Sequence, residues 1–565
     1  MKDIVLQYVL KNALEFGGKA NANVVLGAVL KEHEAWRKNV PTVKAEIEKN
    51  IKQVETLSVE EMKKKLQQLA PELLKVKKEE KIEGLLKPLP QAEPGKVVVR
   101  IAPSPSGPLH IGHAYGLALN AAYAQMYQGK LLLRIEDTNP ENIYPLAYEL
   151  IERDAQWLSG NKVAQVIVQS SRLGRYYDSA EQLIQKQKAY VCTCNADEFK
   201  EKKNKAIACP CRSLPLKEQQ QRFAKLFSSY AEGEAVVRLK TDIKDKNPAM
   251  RDFGLMRIVE HVHPKTGKEQ RVWPLMVFSV AVDDHEFGVT HVLNGKDHAD
   301  NALKEKMIME DLGWIAPEYK HWGRINFEGF DLSTSKTRVA IEQGKYTGWE
   351  DIRLPFLPAL RRRGYQPQAF QKFALEMGLS LNDKTVSIEE FWKSINSFNK
   401  EVIEPKANRY FFIDQPMKIK IEKAPAEKVQ LDLHPDFPDR GKRFLLVKGE
   451  FYVAKSDIEK LKPEFLHRLM DYGNFKVEGK KYAYVSESYE EYKNAANRGM
   501  IIHWLPVEEV LEAEVMQEDG TIVKGWAEKG LEKVKVGEIV QLERRYFARV
   551  DVKEKNKIVL WYLHK

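Results

Sequence analysis

The chain has 565 residues, and its 90 Lys and Arg against 80 Asp and Glu give a formal net charge of +10. This length allows several domains with separate hydrophobic cores, and the basic balance suits a polyanionic partner. No window holds the ~18 uncharged apolar residues that a membrane helix needs, and the first residues lack the apolar run of a signal peptide. We therefore expect a soluble, cytoplasmic protein with no membrane partner.

Residues 1–94 have the pattern of a helical accessory domain. Apolar residues recur at helical spacing within Ile4–Leu14 and Met62–Leu74, among many charged residues. The proline-rich stretch 88–95 reads as a linker. No catalytic pattern occurs in this part of the sequence.

From Lys96 the pattern changes to alternating strands and helices, which predicts a doubly wound parallel sheet that binds nucleotide at the carboxyl ends of its strands. Residues from about 190 to 272 break the alternation and read as an insertion. The predicted strands of this core and its insertion are Val97–Ile101, Leu131–Ile135, Val236–Lys240, Ile258–Val262, Val277–Val282 and Thr290–Leu293.

The first predicted strand is followed by Pro-Ser-Pro-Ser-Gly-Pro-Leu-His-Ile-Gly-His, residues 103–113, which opens a helix. Such a turn directs backbone N–H groups and the positive end of the helix at an anion, and two histidines add directed donors. It predicts a phosphate site. The candidate nucleotide-binding residues of the turn are Pro103, Ser104, Gly107, His110, Gly112 and His113.

About 220 residues downstream, Asp331–Arg338 forms a second polar segment. We predict a short loop whose two cations, Lys336 and Arg338, suit a pyrophosphate. Ser333 and Ser335, with Lys336, complete the candidate nucleotide-binding set, whose nucleotide would be ATP if the resemblance described below holds.

All four cysteines fall within one segment, as Cys192-Thr-Cys194 and, after 14 intervening residues, Cys209-Pro-Cys211. Two close pairs of thiolates on separate loops suit a tetrahedral zinc ion, and four thiolates leave no open position for chemistry. We therefore predict structural Zn²⁺. The alternative is free thiols or disulfides, of which a reducing compartment disfavours the latter.

Together these motifs resemble the class I aminoacyl-tRNA synthetases, whose histidine signature is similar to His110-Ile-Gly-His113 and whose lysine signature is similar to Leu332–Lys336. Further segments resemble the glutamyl/glutaminyl branch, and the similarity to archaeal glutamyl-tRNA synthetases runs essentially end to end. These segments are Arg100–Gly107, Arg134–Thr138, Val280–His285 and Gly295–His298.

The resemblance implies a multidomain fold. Its parts are a helical N-terminal extension (1–94), a Rossmann-like α/β class I catalytic domain in two halves (95–190 and 273–345), an inserted zinc-containing acceptor-end-binding domain (191–272), a helical stem-contact region (346–407) and C-terminal all-β anticodon-binding barrels (408–565). The period of two after Asn408 and the Asp519-Gly520 turn agree with an all-β end. The extension either docks a tRNA or protein partner or only packs.

The implied reaction joins glutamate to ATP, which brings Mg²⁺, and then transfers the glutamyl group to the 3′ end of tRNA(Glu); tRNA(Gln) stays open as a second acceptor. His110 and His113 would bear on the phosphates, while Lys336, with Arg338 as a weaker cation, would screen the departing pyrophosphate. Arg100 would hold a carboxylate. Ser104 and Glu136 would hold the amino-acid backbone.

Asn294 departs from the branch, which usually carries an Arg there to select the side-chain carboxylate. An Asn amide binds either a carboxylate or an amide. Glutamine-tRNA ligase is therefore an alternative, as is a catalytically weak tRNA-binding paralogue. A glutamyl transferase acting on a tRNA base is disfavoured by the anticodon-type end.

Cations and aromatic residues mix near the C-terminus, as stacking on unpaired bases requires. The alternative is barrel-core aromatics with solvated arginines. The candidate anticodon-contacting residues are Trp504, Arg544, Arg545, Tyr546 and Arg549.

Overall fold

The computed structural model describes residues 2–15, 18–70 and 86–565. The chain divides into two compact units, Met1–Ile82 and Glu83–Lys565. Within the described ranges, no helix is long and apolar enough to cross a membrane. Residues 71–74 of the predicted Met62–Leu74 helix lie outside the described residues.

The first unit is helical, as predicted. Its core contains apolar residues at helical spacing, among them Val5, Val9, Ile47 and Leu66. Ser58 caps the last helix reciprocally with Glu61, a capping box that satisfies two N–H groups. The helices are α1 Lys2–Glu15, α2 Ala22–Glu32, α3 Val40–Val54 and α4 Val59–Leu69.

The second unit begins with three parallel strands in the order β1-β2-β3, separated by helices. Every residue of the middle strand after Lys130 is buried, as is usual for a central strand of a parallel sheet that is covered on both faces. The elements are β1 Val98–Ile101, α5 Ile111–Met126, β2 Lys130–Ile135, α6 Ala147–Ser159, β3 Val163–Val168 and α7 Leu173–Gln185.

An antiparallel four-stranded sheet interrupts this core, in the order β4-β5-β6-β7, as the sequence predicts for an insertion. The predicted strand Ile258–Val262 is wrong, because the strand ends at Ile258. The buried His263 ring lies 3.0 Å from the Asp137 carbonyl oxygen and anchors the insertion on the core. The elements are β4 Ala189–Cys192, α8 Ala196–Asn204, α9 Leu216–Leu226, β5 Val236–Leu239, β6 Gly254–Ile258 and β7 Val272–Pro274.

The parallel sheet resumes after the insertion with β8 and β9, and the Thr290 N–H donates to Val98 O at 3.0 Å beside β1. The prediction of a strand at Val277–Val282 is wrong: these residues lie in a helix. The elements are α10 Met276–Glu286, β8 His291–Gly295, α11 Ala299–Leu312, β9 Glu318–Trp322, β10 Ile325–Glu328 and α12 Thr334–Glu342.

Residues 346–407 are mainly helical, but they also return one strand to the core. Lys384 begins a strand that pairs in parallel with β10 at Ile325. The elements are α13 Leu357–Arg363, α14 Pro367–Met377, β11 Lys384–Ser387 and α15 Ile388–Ile403.

The C-terminal region contains two seven-stranded sheets. The elements are β12 Asn408–Tyr410, β13 Phe412–Asp414, β14 Pro416–Glu422, β15 Glu427–Asp432, β16 Lys442–Val447, β17 Glu450–Ala454, α16 Lys455–Ile458, β18 Leu466–Leu469, β19 Gly473–Glu478, β20 Lys481–Ser486, α17 Tyr489–Asn494, β21 Arg498–Ile502, β22 Leu505–Pro506, β23 Val510–Met516, β24 Ile522–Glu528, β25 Ile539–Leu542, β26 Tyr546–Glu554 and β27 Lys557–His564.

Both sheets close on themselves. The edge strands of one sheet, β12 and β13, are separated along the chain only by Phe411, and those of the other, β21 and β22, only by His503 and Trp504. Because consecutive residues cannot be far apart, the two edges of each sheet must meet. Two barrels result, as predicted, with the fully buried Phe411 and Trp504 at the points of closure.

Candidate active site

A central cavity of about 430 Å³ lies at the carboxyl ends of the parallel strands. Ser104 follows β1, Glu136 follows β2 and Asn294 ends β8, as expected for a ligand site in an α/β sheet. The predicted residues that line this central cavity are Arg100, Pro103, Ser104, Gly112, His113, Glu136 and Asn294.

The histidine turn caps α5. His110 is the N-cap residue, and its Nδ1 accepts from the Gly112 N–H at 3.1 Å. His113 Nδ1 accepts from the His110 N–H at 3.3 Å, and the two rings stack with their centroids 3.8 Å apart. Since each Nδ1 is an acceptor, each Nε2 carries the proton and is free to donate.

Both imidazoles are neutral at physiological pH. Burial lowers the pKa of His110 to about 2, with a smaller contribution from His113, and desolvation by the surrounding protein lowers the pKa of His113 to about 4, although the residue as a whole is exposed. The pair can therefore supply hydrogen-bond donors to an anion, while the positive field comes from the α5 N-terminus.

The histidine turn is held in place by two neighbouring residues, Asp154 and Phe356, which the sequence analysis did not single out. The buried Asp154 carboxylate accepts from the Leu109 N–H at 3.3 Å and pairs with Arg361 at 3.1 Å. His110 also forms an isolated antiparallel bridge with Phe356, just before α13. The helical region thus holds the turn directly.

The lysine segment reaches the histidine turn through the side chains of Leu332 and Thr334. A Cβ at Gly107 would lie 2.1 Å from Thr334 Cγ2, and one at Gly112 would lie 3.8 Å from Leu332 Cδ1. The predicted loop ends early, because Ser333 caps α12 and places Lys336 in its first turn. The two motifs adjoin, as predicted.

Lys336 itself is exposed and lines a second, lateral cavity of about 450 Å³, whereas His113 lines the central cavity. Asp331, Arg353 and Trp392 also line the lateral cavity. Arg338 points elsewhere, with its guanidinium 5.8 Å from the centre of the Tyr144 ring. The structure therefore brings the two motifs together, but the lysine ammonium does not line the central cavity.

Buried charges form the floor of the central cavity. Arg100 donates two hydrogen bonds to Asp284, from Nε to Oδ1 at 3.3 Å and from Nη2 to Oδ2 at 3.1 Å. Arg134 bonds the same carboxylate at 2.5 Å and Glu136 at 3.1 Å. Burial alone would raise the pKa of Asp284, but the two arginines keep it below its ordinary value; for Glu136, burial outweighs them and raises the pKa.

Ser104 and Asn294 both line the central cavity, but only the Asn294 side chain is held by a hydrogen bond to a neighbouring side chain in the described ranges. Ser104 is exposed at the rim. The Asn294 Oδ1 lies 2.7 Å from His321 Nδ1 and accepts its proton in that ring tautomer, which leaves the Asn294 amide N–H groups for a ligand.

Three cavity-lining or cavity-supporting side chains escaped the predictions: Asp284, Glu305 and Asn120. A signal existed for the first two. Asp284 ends an apolar helix, and Glu305 occupies a position in the apolar stripe Ala302, Ile308, Met309 and Leu312 of α11. Acidic residues in such positions are seldom buried unless they are paired or functional.

The four cysteines converge as predicted. Their Sγ atoms all lie within 4.8 Å of one another, with close pairs at 3.2 Å (Cys194–Cys209), 3.5 Å (Cys192–Cys209) and 3.9 Å (Cys194–Cys211). A zinc ion with Zn–S bonds of about 2.3 Å requires S–S edges of about 3.8 Å, so the donor set fits Zn²⁺. Arg222 Nη1, 3.3 Å from Cys211 Sγ, offsets part of the thiolate charge.

The prediction that Trp504 stacks on an anticodon base is wrong. Its side chain is 0% exposed in the barrel core, and its indole N–H donates to Met470 O at 2.9 Å. Arg545 pairs with Asp414, and Arg549 bonds Asp551 at 3.1 Å. Tyr546 accepts from Gln517 at 3.4 Å, and the exposed Arg544 forms no ion pair with a described residue.

Comparisons with known proteins agree with this organisation. The family "tRNA synthetases class I (E and Q), catalytic domain" matches residues 96–405, and its two anti-codon binding domain families match residues 407–493 and 501–551. The core, insertion and helical region thus fall in the catalytic family, and the barrels in the anticodon-binding families.

Similar full-length proteins include two from archaea. The glutamate–tRNA ligase of Methanothermobacter thermautotrophicus is 43% identical over 566 residues, and that of Pyrococcus furiosus is 43% identical over 580 residues; each alignment covers 100% of both chains. A crystal structure of a glutamate tRNA ligase from Elizabethkingia meningosepticum is 22% identical, with a TM-score of 0.39, over 55% of this chain and 70% of that one. The chain belongs to the class I aminoacyl-tRNA synthetases of the glutamyl and glutaminyl (E and Q) family.

Proposed function

We propose that this chain is a glutamate–tRNA ligase: it activates glutamate with ATP and transfers the glutamyl group to tRNA. The observation that carries the proposal is that one cavity is lined both by His113, which stacks on His110 at a helix N-terminus, and by Arg100, which is paired with Asp284. The full-length identity to archaeal glutamate–tRNA ligases supports the same substrate.

Activation proceeds by attack of the glutamate α-carboxylate on the α-phosphate of ATP, which expels pyrophosphate. Positioning and charge stabilisation dominate such a step. We assign the phosphates to the Nε2–H donors of His110 and His113 and to the α5 N-terminus. Mg²⁺ accompanying ATP would supply further charge neutralisation.

Lys336 acts on the leaving pyrophosphate in this proposal, with Arg338 as the weaker second cation. The exposed Lys336 ammonium lies in the neighbouring lateral cavity, so the first turn of α12 has to reorient for this role. The close approach of Thr334 to Gly107 makes the α12 start responsive to the histidine turn.

Glutamate binding is assigned to the floor and rim of the central cavity. Arg100 keeps N–H groups beyond the two that Asp284 takes, which suits a carboxylate. Glu136 and Ser104 would accept from the substrate ammonium. Asn294, whose oxygen is held by His321, would donate to the substrate.

The remaining parts would serve tRNA. We infer that the cysteine cluster holds Zn²⁺, which would fix the fold of the insertion near the acceptor end. In the barrel formed by β12, β13 and β23 to β27, the exposed Arg544 is the best candidate to contact an anticodon base, while Arg545 and Arg549 would first have to release their carboxylate partners.

ATP–pyrophosphate exchange with glutamate and with glutamine, with and without tRNA, tests the proposal. Glutamate-dependent exchange, followed by an alkali-labile glutamyl ester at the tRNA 3′ end, is expected. Exchange that depends on glutamine alone would identify a glutamine enzyme, and no exchange at all would identify a tRNA-binding paralogue. Acceptor tRNA(Glu) and tRNA(Gln) are compared in the transfer step.

A further inference from the structure

Glu305 is an acidic side chain that the proposed chemistry does not yet use. It lies on α11, is 4% exposed, and lines the central cavity together with Arg100 and Asn294. No ion pair joins its carboxyl to a residue in the described ranges. The neighbouring Tyr319 hydroxyl lies close enough to the Glu305 carboxyl to lower its pKa, and among the described residues it forms no other hydrogen bond. A buried polar group of this kind requires a ligand or a proton.

We propose that Glu305 is a specificity-determining residue that donates its carboxylic O–H to the side-chain carboxylate of bound glutamate. The proposal rests on the glutamate–tRNA ligase function and deepens it, because it names the group that distinguishes glutamate from glutamine.

The donor set at this end of the central cavity favours a carboxylate. Arg100 offers its remaining N–H groups, Asn294 offers its amide N–H groups, and protonated Glu305 offers an O–H. A carboxylate accepts from all three, whereas a glutamine amide needs an acceptor for its own N–H groups. Sites that hydrogen-bond one partner strongly reject the analogue that leaves a buried group unpaired.

Protonation of Glu305 follows from its surroundings. Burial raises the pKa of Glu305 to about 8, while Arg100 opposes the rise, Asp284 reinforces it, and Tyr319 and Arg134 lower it. At pH 7 the neutral form of Glu305 therefore predominates. When the pH rises above that pKa, Glu305 becomes a carboxylate, repels the substrate carboxylate and accepts from an amide.

Asn120 also lines the central cavity, and its side-chain oxygen could accept a hydrogen bond from the amide of glutamine. The Asn120 side chain is 1% exposed, and its Nδ2 donates to Gly116 O and Leu293 O. Its Oδ1 accepts no hydrogen bond from any residue that the structure describes. Discrimination is therefore measured as a ratio between the two substrates. The ratio also cancels the titration of the substrate ammonium, which glutamate and glutamine share.

The test compares the full-length protein with E305Q and with E310Q, which changes an exposed Glu on the same helix. The measured quantities are kcat/KM in ATP–pyrophosphate exchange with cognate tRNA at pH 6.5 to 9.5, for glutamate and for glutamine, and glutamate affinity by calorimetry. The glutamate-to-glutamine ratio of the unmodified protein and of E310Q should fall about tenfold per pH unit above pH 8.

E305Q should keep glutamate affinity at pH 7 within about tenfold, since its amide N–H still donates, and its ratio should be lower at pH 7 and flat with pH. A flat ratio in the unmodified protein, or the same pH dependence in E305Q, would overturn the assignment. Either result would appear with exchange activity intact. A failure of the glutamate–tRNA ligase function itself would appear instead as no glutamate-dependent exchange at any pH.

Discussion

Arg100 and Asp284 form a two-point ion pair on the floor of the central cavity, with N–O distances of 3.3 and 3.1 Å. Both side chains are buried, and Asp284 also binds Arg134. An arginine held this way cannot rotate freely. Asp284 therefore acts as a positioning residue that aims the remaining N–H groups of Arg100 at a ligand.

D284N should lower the free energy of unfolding by ~3 kcal/mol or more, because removing one partner of a buried pair leaves charge uncompensated. It should also raise the KM for glutamate at least tenfold, a change measured by pyrophosphate exchange beside urea unfolding. The matched control is E286Q on the same helix, because Glu286 pairs with the partly exposed Arg172. Loss of this ion pair should lower the free energy of unfolding by no more than ~1 kcal/mol. Unchanged glutamate binding in D284N would show that Arg100 is aimed by something else.

K336A should slow adenylate formation by ~10² or more, the range for losing one electrostatic donor at a transition state. Equilibrium binding of glutamate should stay near normal, because Lys336 lines the lateral and not the central cavity. Single-turnover adenylate formation measures the first effect and calorimetry the second. K345A, another exposed lysine of the lateral cavity, is the control and should have a small effect. A raised KM with unchanged turnover in K336A would assign Lys336 to ground-state binding.

G107A should displace the start of α12, because the new Cβ would lie 2.1 Å from Thr334 Cγ2. Misplacement of a reacting group by about 1 Å costs up to ~10²-fold, so adenylate formation should fall roughly tenfold to a hundredfold. Adding T334S removes the clashing methyl group and should restore part of the rate. G174A, where no atom lies within 4 Å of the added Cβ, is the control. No rescue by T334S would place the defect at Trp349, the other near neighbour.

The place of the active site could be predicted from the sequence because the motifs that mark it are local. A strand, a Pro/Gly turn and a helix start are consecutive in the chain, and so are the two cysteine pairs. The strand predicted at Val277–Val282 failed for a physical reason: this apolar run is buried on all sides as α10, so it has no periodicity to separate a helix from a strand.

The features that the sequence did not predict depend mainly on contacts between residues far apart in the chain. Trp504 has the residue type of a base-stacking platform, but closure of the sheet at His503 and Trp504 buries it. Ser333 was a helix-cap signal that the loop prediction passed over, since its Oγ accepts from the Lys336 N–H. The Arg100–Asp284 pair joins residues 184 apart, which no local pattern predicts.

Freshly purified protein should contain about one zinc per chain, and C192S or C209S should lose it. Transfer to tRNA should suffer more than adenylate formation, because the cluster lies in the insertion and does not line the central cavity. Elemental analysis measures the metal, and separate assays of exchange and transfer measure the two steps. T193V changes a residue between two cysteines and should retain zinc. Absence of zinc in the unmodified protein would leave the cluster as free thiols.

N294R tests how the substrate side chain is selected. Asn294 faces the central cavity with its oxygen held by His321 at 2.7 Å, so it offers only neutral donors. A cation there adds a charge-assisted bond of ~1.5 to 3 kcal/mol to a carboxylate, which corresponds to roughly a ten- to hundredfold gain in relative kcat/KM for glutamate over glutamine.

The comparison uses saturating cognate tRNA, so that a defect in transfer is not mistaken for one in selection. R100A is the reciprocal variant and should remove the preference almost entirely, because the buried substrate carboxylate then lacks its countercharge. H321A tests whether the hydrogen bond from His321 fixes the orientation of the Asn294 amide. Without that bond the amide can rotate and accept from glutamine, so the glutamate-to-glutamine ratio of kcat/KM should fall modestly. A ratio that stays constant in N294R, or moves toward glutamine, would mean that position 294 does not contact the side chain of the substrate, and would leave Arg100 as the sole cation of the site.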